Sequence, residues 1–60
     1  MRLIIDADAD DVILAVRAAK KLAETPDSNE SLVCYEDGSE FFVRRLKKSG
    51  YSVKQVRARQ

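Results

Sequence analysis

Histidine and tryptophan are absent from this 60-residue chain, and no acidic residue follows Glu40. Without histidine there is no imidazole acid/base chemistry, no Cys/His zinc finger and no histidine ligation of haem. There is one cysteine, Cys34, so an internal disulfide is impossible and a disulfide-stapled secreted scaffold is excluded. A small buried thiol in a strand is the expected role for Cys34. Proline occurs once and glycine twice, too rarely for a low-complexity linker. The longest apolar run is Val12 to Val16, far short of the ~18 residues of a membrane span. The start, Met1-Arg2-Leu3-Ile4-Ile5-Asp6, is too short and acidic for a secretory signal, and the expected location is cytoplasmic.

Hydrophobic residues at 45% and charged residues at 35% describe a globular chain. Residues 1–60 make one small domain. At this mass a folded chain exposes roughly 4,000 Å², and the apolar burial roughly offsets the entropy of ordering the chain. A monomer is therefore marginal, and a homo-oligomer or another partner is expected to add stability.

The net charge of +1 conceals a polarised layout. Residues 1–43 hold all ten acids against Arg2, Arg17, Lys20 and Lys21, a net of −6, whereas Arg44, Arg45, Lys47, Lys48, Lys54, Arg57 and Arg59 give residues 44–60 a net of +7. Such asymmetry points to an anionic partner for the C-terminal segment, or to two halves that neutralise each other in the fold.

Leu3-Ile4-Ile5 reads as a buried strand over residues 2–6. Asp8, Asp10 and Asp11 then offer N-caps and negative charge for a helix over 9–24. On a 100° wheel Leu22, Ala15, Ala19, Val12, Ala23, Val16 and Ile13 share its apolar face, which leaves Leu14 exposed or in an interface. Pro26 disfavours helix at Thr25 and ends it. After a polar loop, Leu32-Val33-Cys34-Tyr35 forms a second strand. Segment 39–48 has two readings. Asp37-Gly38 suits a hairpin turn. Asp37 with Glu40 three residues on also suits a capping box, with Lys47-Lys48 in a last turn and Gly50 beyond it. The helix is the favoured reading. Residues 51–58 form a further strand, in which Val53 and Val56, three apart, cannot share a face of a regular strand, so a bulge or early fraying is expected. The expected fold is a small α/β, two-layer β-α-β-α-β domain with a three-stranded, mainly parallel sheet, and the alternative is β-α-β-β-β. If the parallel strands run in the order 1-2-3, both helices cover one face, and the bare other face invites dimerisation.

Two clusters carry candidate chemistry. Asp6-Ala7-Asp8-Ala9-Asp10-Asp11 lies at the C-terminal end of a strand, where open α/β sheets place ligands. It is no EF-hand, because Asp11 occupies the glycine position and Arg17 the final glutamate position. The strand with Asp6, the acidic loop Asp37-Gly38-Ser39-Glu40-Phe41, the following Val43-Arg44-Arg45-Leu46-Lys47 and the final Gly50-Tyr51-Ser52-Val53 together resemble part of the PIN/NYN-like nuclease core. That resemblance implies a metal site made by Asp6, Asp37 and Glu40 and a nuclease activity; a divalent-metal phosphoesterase holding Mg²⁺ or Mn²⁺ would have Asp6, Asp8, Asp37 and Glu40 as candidate ligands. The alternative role of the acids is helix capping.

The second cluster is the basic segment. On a helix over 39–48, Phe41, Arg44, Arg45, Lys47 and Lys48 share one wide face, and Lys54, Arg57 and Arg59 extend it. Cations interleaved with an aromatic suit phosphate contact and base stacking. The leading expectation is a non-enzymatic binding or regulatory protein of the size of phage and mobile-element accessory proteins. It needs no cofactor and acts through these eight residues on nucleic acid or an acidic protein. A metal-dependent phosphoesterase and an oligomerisation module are the alternatives.

Overall fold

The computed structural model describes residues 2–7 and 9–60. The elements run β1 (Leu3–Asp6), a 3-10 turn (Ala9–Asp11), α1 (Val12–Ala23), β2 (Glu30–Cys34), β3 (Glu40–Arg45) and β4 (Tyr51–Arg57). The four strands form one mixed sheet in the order β1-β4-β3-β2. β1 and β4 are parallel, while β4–β3 and β3–β2 are antiparallel. This overturns the expected three-stranded, mainly parallel β-α-β-α-β sheet. The second helix does not exist: residues 40–45 are a central strand, and the element order is β-α-β-β-β.

The physical reason lies in the turn after β2. Tyr35 N–H donates to the Ser39 carbonyl at 2.9 Å and Gly38 N–H to the Tyr35 carbonyl at 3.0 Å. Gly38 takes a φ of +92°, a left-handed conformation that glycine adopts without strain. This is the three-residue hairpin with a glycine bulge. Asp37 does not cap a helix. Its Oδ1 accepts the Ser39 N–H at 2.9 Å and the Ser39 hydroxyl at 2.6 Å, which satisfies a serine with no exposed surface. Phe41, Phe42 and Val43 then favour the pleated sheet over a helix.

α1 covers one face of the sheet, mainly over β4 and β3. Ala15, Ala18 and Ala19 bring the helix close to Phe41, Val43, Tyr51 and Val53, which with Leu22 of the helix and Val33 form the core. The buried arc is rotated from the expected one. Leu14 is half-buried against the core and accepts the Tyr35 hydroxyl at 3.1 Å, whereas Ile13 is 70% exposed. Cys34 is also exposed, contrary to expectation, because Val33 takes the inward position and alternation turns its neighbours out. The bulge expected in the last strand is present: Phe41 faces Gln55 but Glu40 faces Arg57, so Val56 is skipped.

The β3–β4 hairpin closes with Leu46 N–H donating to the Gly50 carbonyl at 3.0 Å. Gly50 has a φ of +97°, and a Cβ there would lie 2.0 Å from the Arg2 carbonyl oxygen. The next residue, Tyr51, donates its N–H to that same carbonyl at 2.8 Å. Gly50 therefore allows β1 to dock on β4.

Candidate functional site

Strand alternation and register decide where each charged residue goes. Across the uncovered face, one row is Leu32–Phe42–Lys54–Asp6 and the next is Glu30–Arg44–Ser52–Ile4. At its centre, Phe42, Arg44, Ser52 and Lys54 surround a shallow depression of about 260 Å³. The cations sit on the two central strands and the acids Asp6 and Glu30 on the edge strands, so a positive stripe runs down the middle of the face. Arg44 approaches Glu30 only at 3.9 Å, with both side chains well exposed, a pairing easily exchanged for another anion. Lys47 and Lys48 are exposed on the hairpin just beyond Arg44. They carry the positive potential past the end of the sheet.

The other expected members of a basic face are dispersed. Phe41 has no exposed surface and belongs to the core; its neighbour Phe42 is the half-buried aromatic on the open face. Arg45 faces the helix layer. Its guanidinium donates to the carbonyls of Leu22 at 3.2 Å, Thr25 at 3.2 Å and Ser28 at 3.1 Å, and to the Tyr51 hydroxyl at 3.1 Å. It also lies 5.4 Å from the Tyr51 ring centroid. Arg45 thus ties the C-terminal end of α1 and the loop after it to the sheet. Arg57 and Arg59 lie towards the opposite end of the sheet from Lys47 and Lys48, and Arg59 stands 3.9 Å from Asp10. A single helical face carrying all eight residues is therefore replaced by a central stripe, a structural arginine and an outlying pair. Phe42 does not stand out when a helical period is laid over residues 39–48, and Ser52 becomes part of the face only through its pairing with Arg44. The signal was the alternation of Phe41, Val43 and Arg45 with Phe42 and Arg44.

The acidic candidates are separated. Asp6 is exposed at the end of edge strand β1, and Glu40 begins β3, two strand spacings (about 10 Å) away. Asp37 lies beyond it in the β2–β3 turn, engaged by Ser39. The Ser39 hydroxyl and then its N–H hold the Asp37 carboxyl below its ordinary value, a pull that outweighs desolvation. Asp8 lies outside the described residues. Among the described residues, no group of three or more His, Cys, Asp or Glu side chains stands close enough to hold a metal ion. Of Val43-Arg44-Arg45-Leu46-Lys47, which the nuclease resemblance takes as a helix, the first three residues belong to strand β3 and the last two to the hairpin that follows. Within the N-terminal acidic run, Asp11 is buried and receives Gln55 Nε2 on Oδ2 at 2.7 Å, a tertiary contact that replaces a side-chain cap of α1.

Tyr35 closes the helix side of the β2–β3 hairpin. Its ring meets Phe41 edge-on at 5.9 Å, and Lys21 Nζ lies 5.3 Å from its centroid. Burial raises its phenol above the ordinary value, and the Arg17 guanidinium partly opposes this. Among the described residues, no helix is long and apolar enough to cross a membrane. Comparison with protein-family models, curated proteins and solved structures found no match for the chain.

Proposed function

We propose that the protein is a non-catalytic binding module that takes single-stranded nucleic acid on its open sheet face. One observation carries this reading: Phe42 lies between Arg44 and Lys54, with the Ser52 hydroxyl beside them, on the uncovered face of a four-stranded sheet. A half-buried aromatic on the open face of a central strand is a platform for an unstacked base, worth about 1–3 kcal/mol per base. The adjacent guanidinium, ammonium and hydroxyl groups supply donors for the phosphate linked to that base. Lys47 and Lys48 lengthen the track for a neighbouring phosphate. The acids at Asp6 and Glu30 confine the anion to the two central strands. The separation of Asp6, Asp37 and Glu40 supports binding over metal-dependent hydrolysis.

The test is fluorescence anisotropy with a labelled oligonucleotide of mixed sequence, single-stranded and duplex, over a salt series. Single strands are expected to bind more tightly than duplex, and log K to fall with log salt with a slope near −2 to −3, at ~0.7 per phosphate contact. Phe42→Ala weakens binding about tenfold at constant slope, whereas Arg44→Gln reduces the slope by about one contact. Binding that is indifferent to Phe42 and equal for acidic peptides assigns the stripe to an acidic protein instead. No binding to either defeats the proposal.

A further inference from the structure

The two edges of the sheet differ. At the β1 edge the apolar arc of α1 overhangs the sheet: Val12 is 39% exposed, and Leu3 on β1 is 38% exposed. Between them runs an apolar groove of about 180 Å³ lined by Leu3, Val16, Ala19, Ala23, Tyr51 and the stem of Lys20. The apolar face expected from the helical wheel is therefore real but only part of it meets this sheet. The molecule is flat, 34 × 20 × 14 Å, and exposes 4421 Å², about a tenth more than a compact chain of its mass. Among the described residues, β1 pairs on its β4 side and not on its outer side. Its outer edge carries no proline, and its interior residues Leu3-Ile4-Ile5 carry no charge, the usual guards against strand addition.

The sequence around β1 is self-complementary when reversed. Arg2-Leu3-Ile4-Ile5-Asp6 read antiparallel about Ile4 places Arg2 opposite Asp6, Leu3 opposite Ile5 and Ile4 opposite itself. Alternation puts Arg2, Ile4 and Asp6 on the open face and Leu3 and Ile5 on the helix face. We propose that β1 pairs antiparallel with β1 of a second copy of this chain, centred on Ile4. The pairing forms two Arg2–Asp6 cross-strand ion pairs related by the two-fold axis. On the other face, Leu3 and the partner's Ile5 extend the core layer beneath the two α1 flanks, bringing Val16 towards the dyad. Opposite charges facing each other across strands stabilise the register, and like charges oppose it. The other edge lacks this property: β2 reversed about Leu32 places Glu30 opposite Cys34, with no charge match. The resulting eight-stranded sheet leaves the Phe42 stripe uncovered, so the dimer and the binding reading stand or fall separately.

Sedimentation velocity from micromolar to sub-millimolar concentration is expected to show twice the 6.8 kDa of one chain, with a melting temperature that rises with concentration. Arg2→Asp and Asp6→Arg are each expected to raise the dimer dissociation constant about tenfold, and the double variant to return it to within about threefold of the parent. Exposed Ile4 supplies a test that leaves the core intact. Antiparallel partners lie about 4.5–5.5 Å apart at Cα, within disulfide range. In a Cys34→Ser background, Ile4→Cys therefore gives a disulfide-linked dimer under mild oxidation and Leu32→Cys does not. A chain that stays monomeric throughout overturns the proposal. So does a dimer that ignores both charge reversals and cross-links at Leu32 in preference to Ile4, which places the contact on β2 or the open face.

Discussion

Arg45→Met is the sharpest test of how this small sheet holds its helix. Methionine keeps the aliphatic stem beside Tyr51 and deletes the guanidinium. The lost contacts are the carbonyls of Leu22, Thr25 and Ser28 at 3.1–3.2 Å and the Tyr51 hydroxyl at 3.1 Å. Three of them fall on Nη2, which has two hydrogens, so at most two are well aligned. Each such bond contributes about 1 kcal/mol net in a half-buried setting, and a cation at a helix C-terminus adds a few tenths. Arg45→Met should therefore cost about 2 kcal/mol, a fall of roughly 8–16 °C in Tm for a domain of this size. Arg45→Lys keeps the charge without the planar fork and should cost about half as much. The neighbouring Arg44 is an internal control. Its ion pair with Glu30 is exposed and 3.9 Å long, so Arg44→Met should cost less than about 0.5 kcal/mol. Circular dichroism melts and urea titrations at matched protein concentration give the comparison. Equal costs at positions 44 and 45 would refute the assignment of Arg45 to the fold.

Three further outcomes follow from the same geometry. Gly50→Ala places a Cβ against the Arg2 carbonyl at positive φ and should cost more than about 2 kcal/mol in urea unfolding. Gly38→Ala meets only the movable Gln60 side chain at 3.2 Å and should cost about 1 kcal/mol; a reversed order would contradict the docking of β1 through Gly50. The Asp37 carboxyl is held below its ordinary value of 3.8, so its stabilisation is complete above that pH and disappears as the pH falls through the lower native value. Asp37→Asn should flatten this part of the acid-unfolding curve, and an unchanged curve would count against the Ser39 contacts. Added Mn²⁺ should neither cleave labelled single-stranded RNA or DNA nor raise the Tm; cleavage that Asp6→Asn abolishes would restore the metal-enzyme reading.

Local chemistry was enough to place a strand at Leu3-Ile4-Ile5, one helix ending before Pro26, a strand through Leu32-Val33 and a last strand from Tyr51 with an irregularity near Val56. Each rests on a short-range cause: β-branched content, apolar periodicity, the steric effect of proline on the preceding residue, or two valines three apart. Segment 39–48 satisfied two local patterns at once, because Asp37 with Glu40 mimics a capping box while Asp37-Gly38 also suits a hairpin. The positive φ of Gly38 suits the hairpin turn, and the pairing of Phe41 and Val43 on both sides by β2 and β4, a non-local fact, selected the strand. The same choice sorted the cations: alternation sent Arg45 to the helix layer and Arg44 to the open face, although they are adjacent in the chain. The charge polarity was legible in the sequence. Its division into a stripe around Phe42, a structural arginine and an outlying pair required the sheet order, because only lateral pairing places Lys54 beside Phe42 and Ser52 beside Arg44.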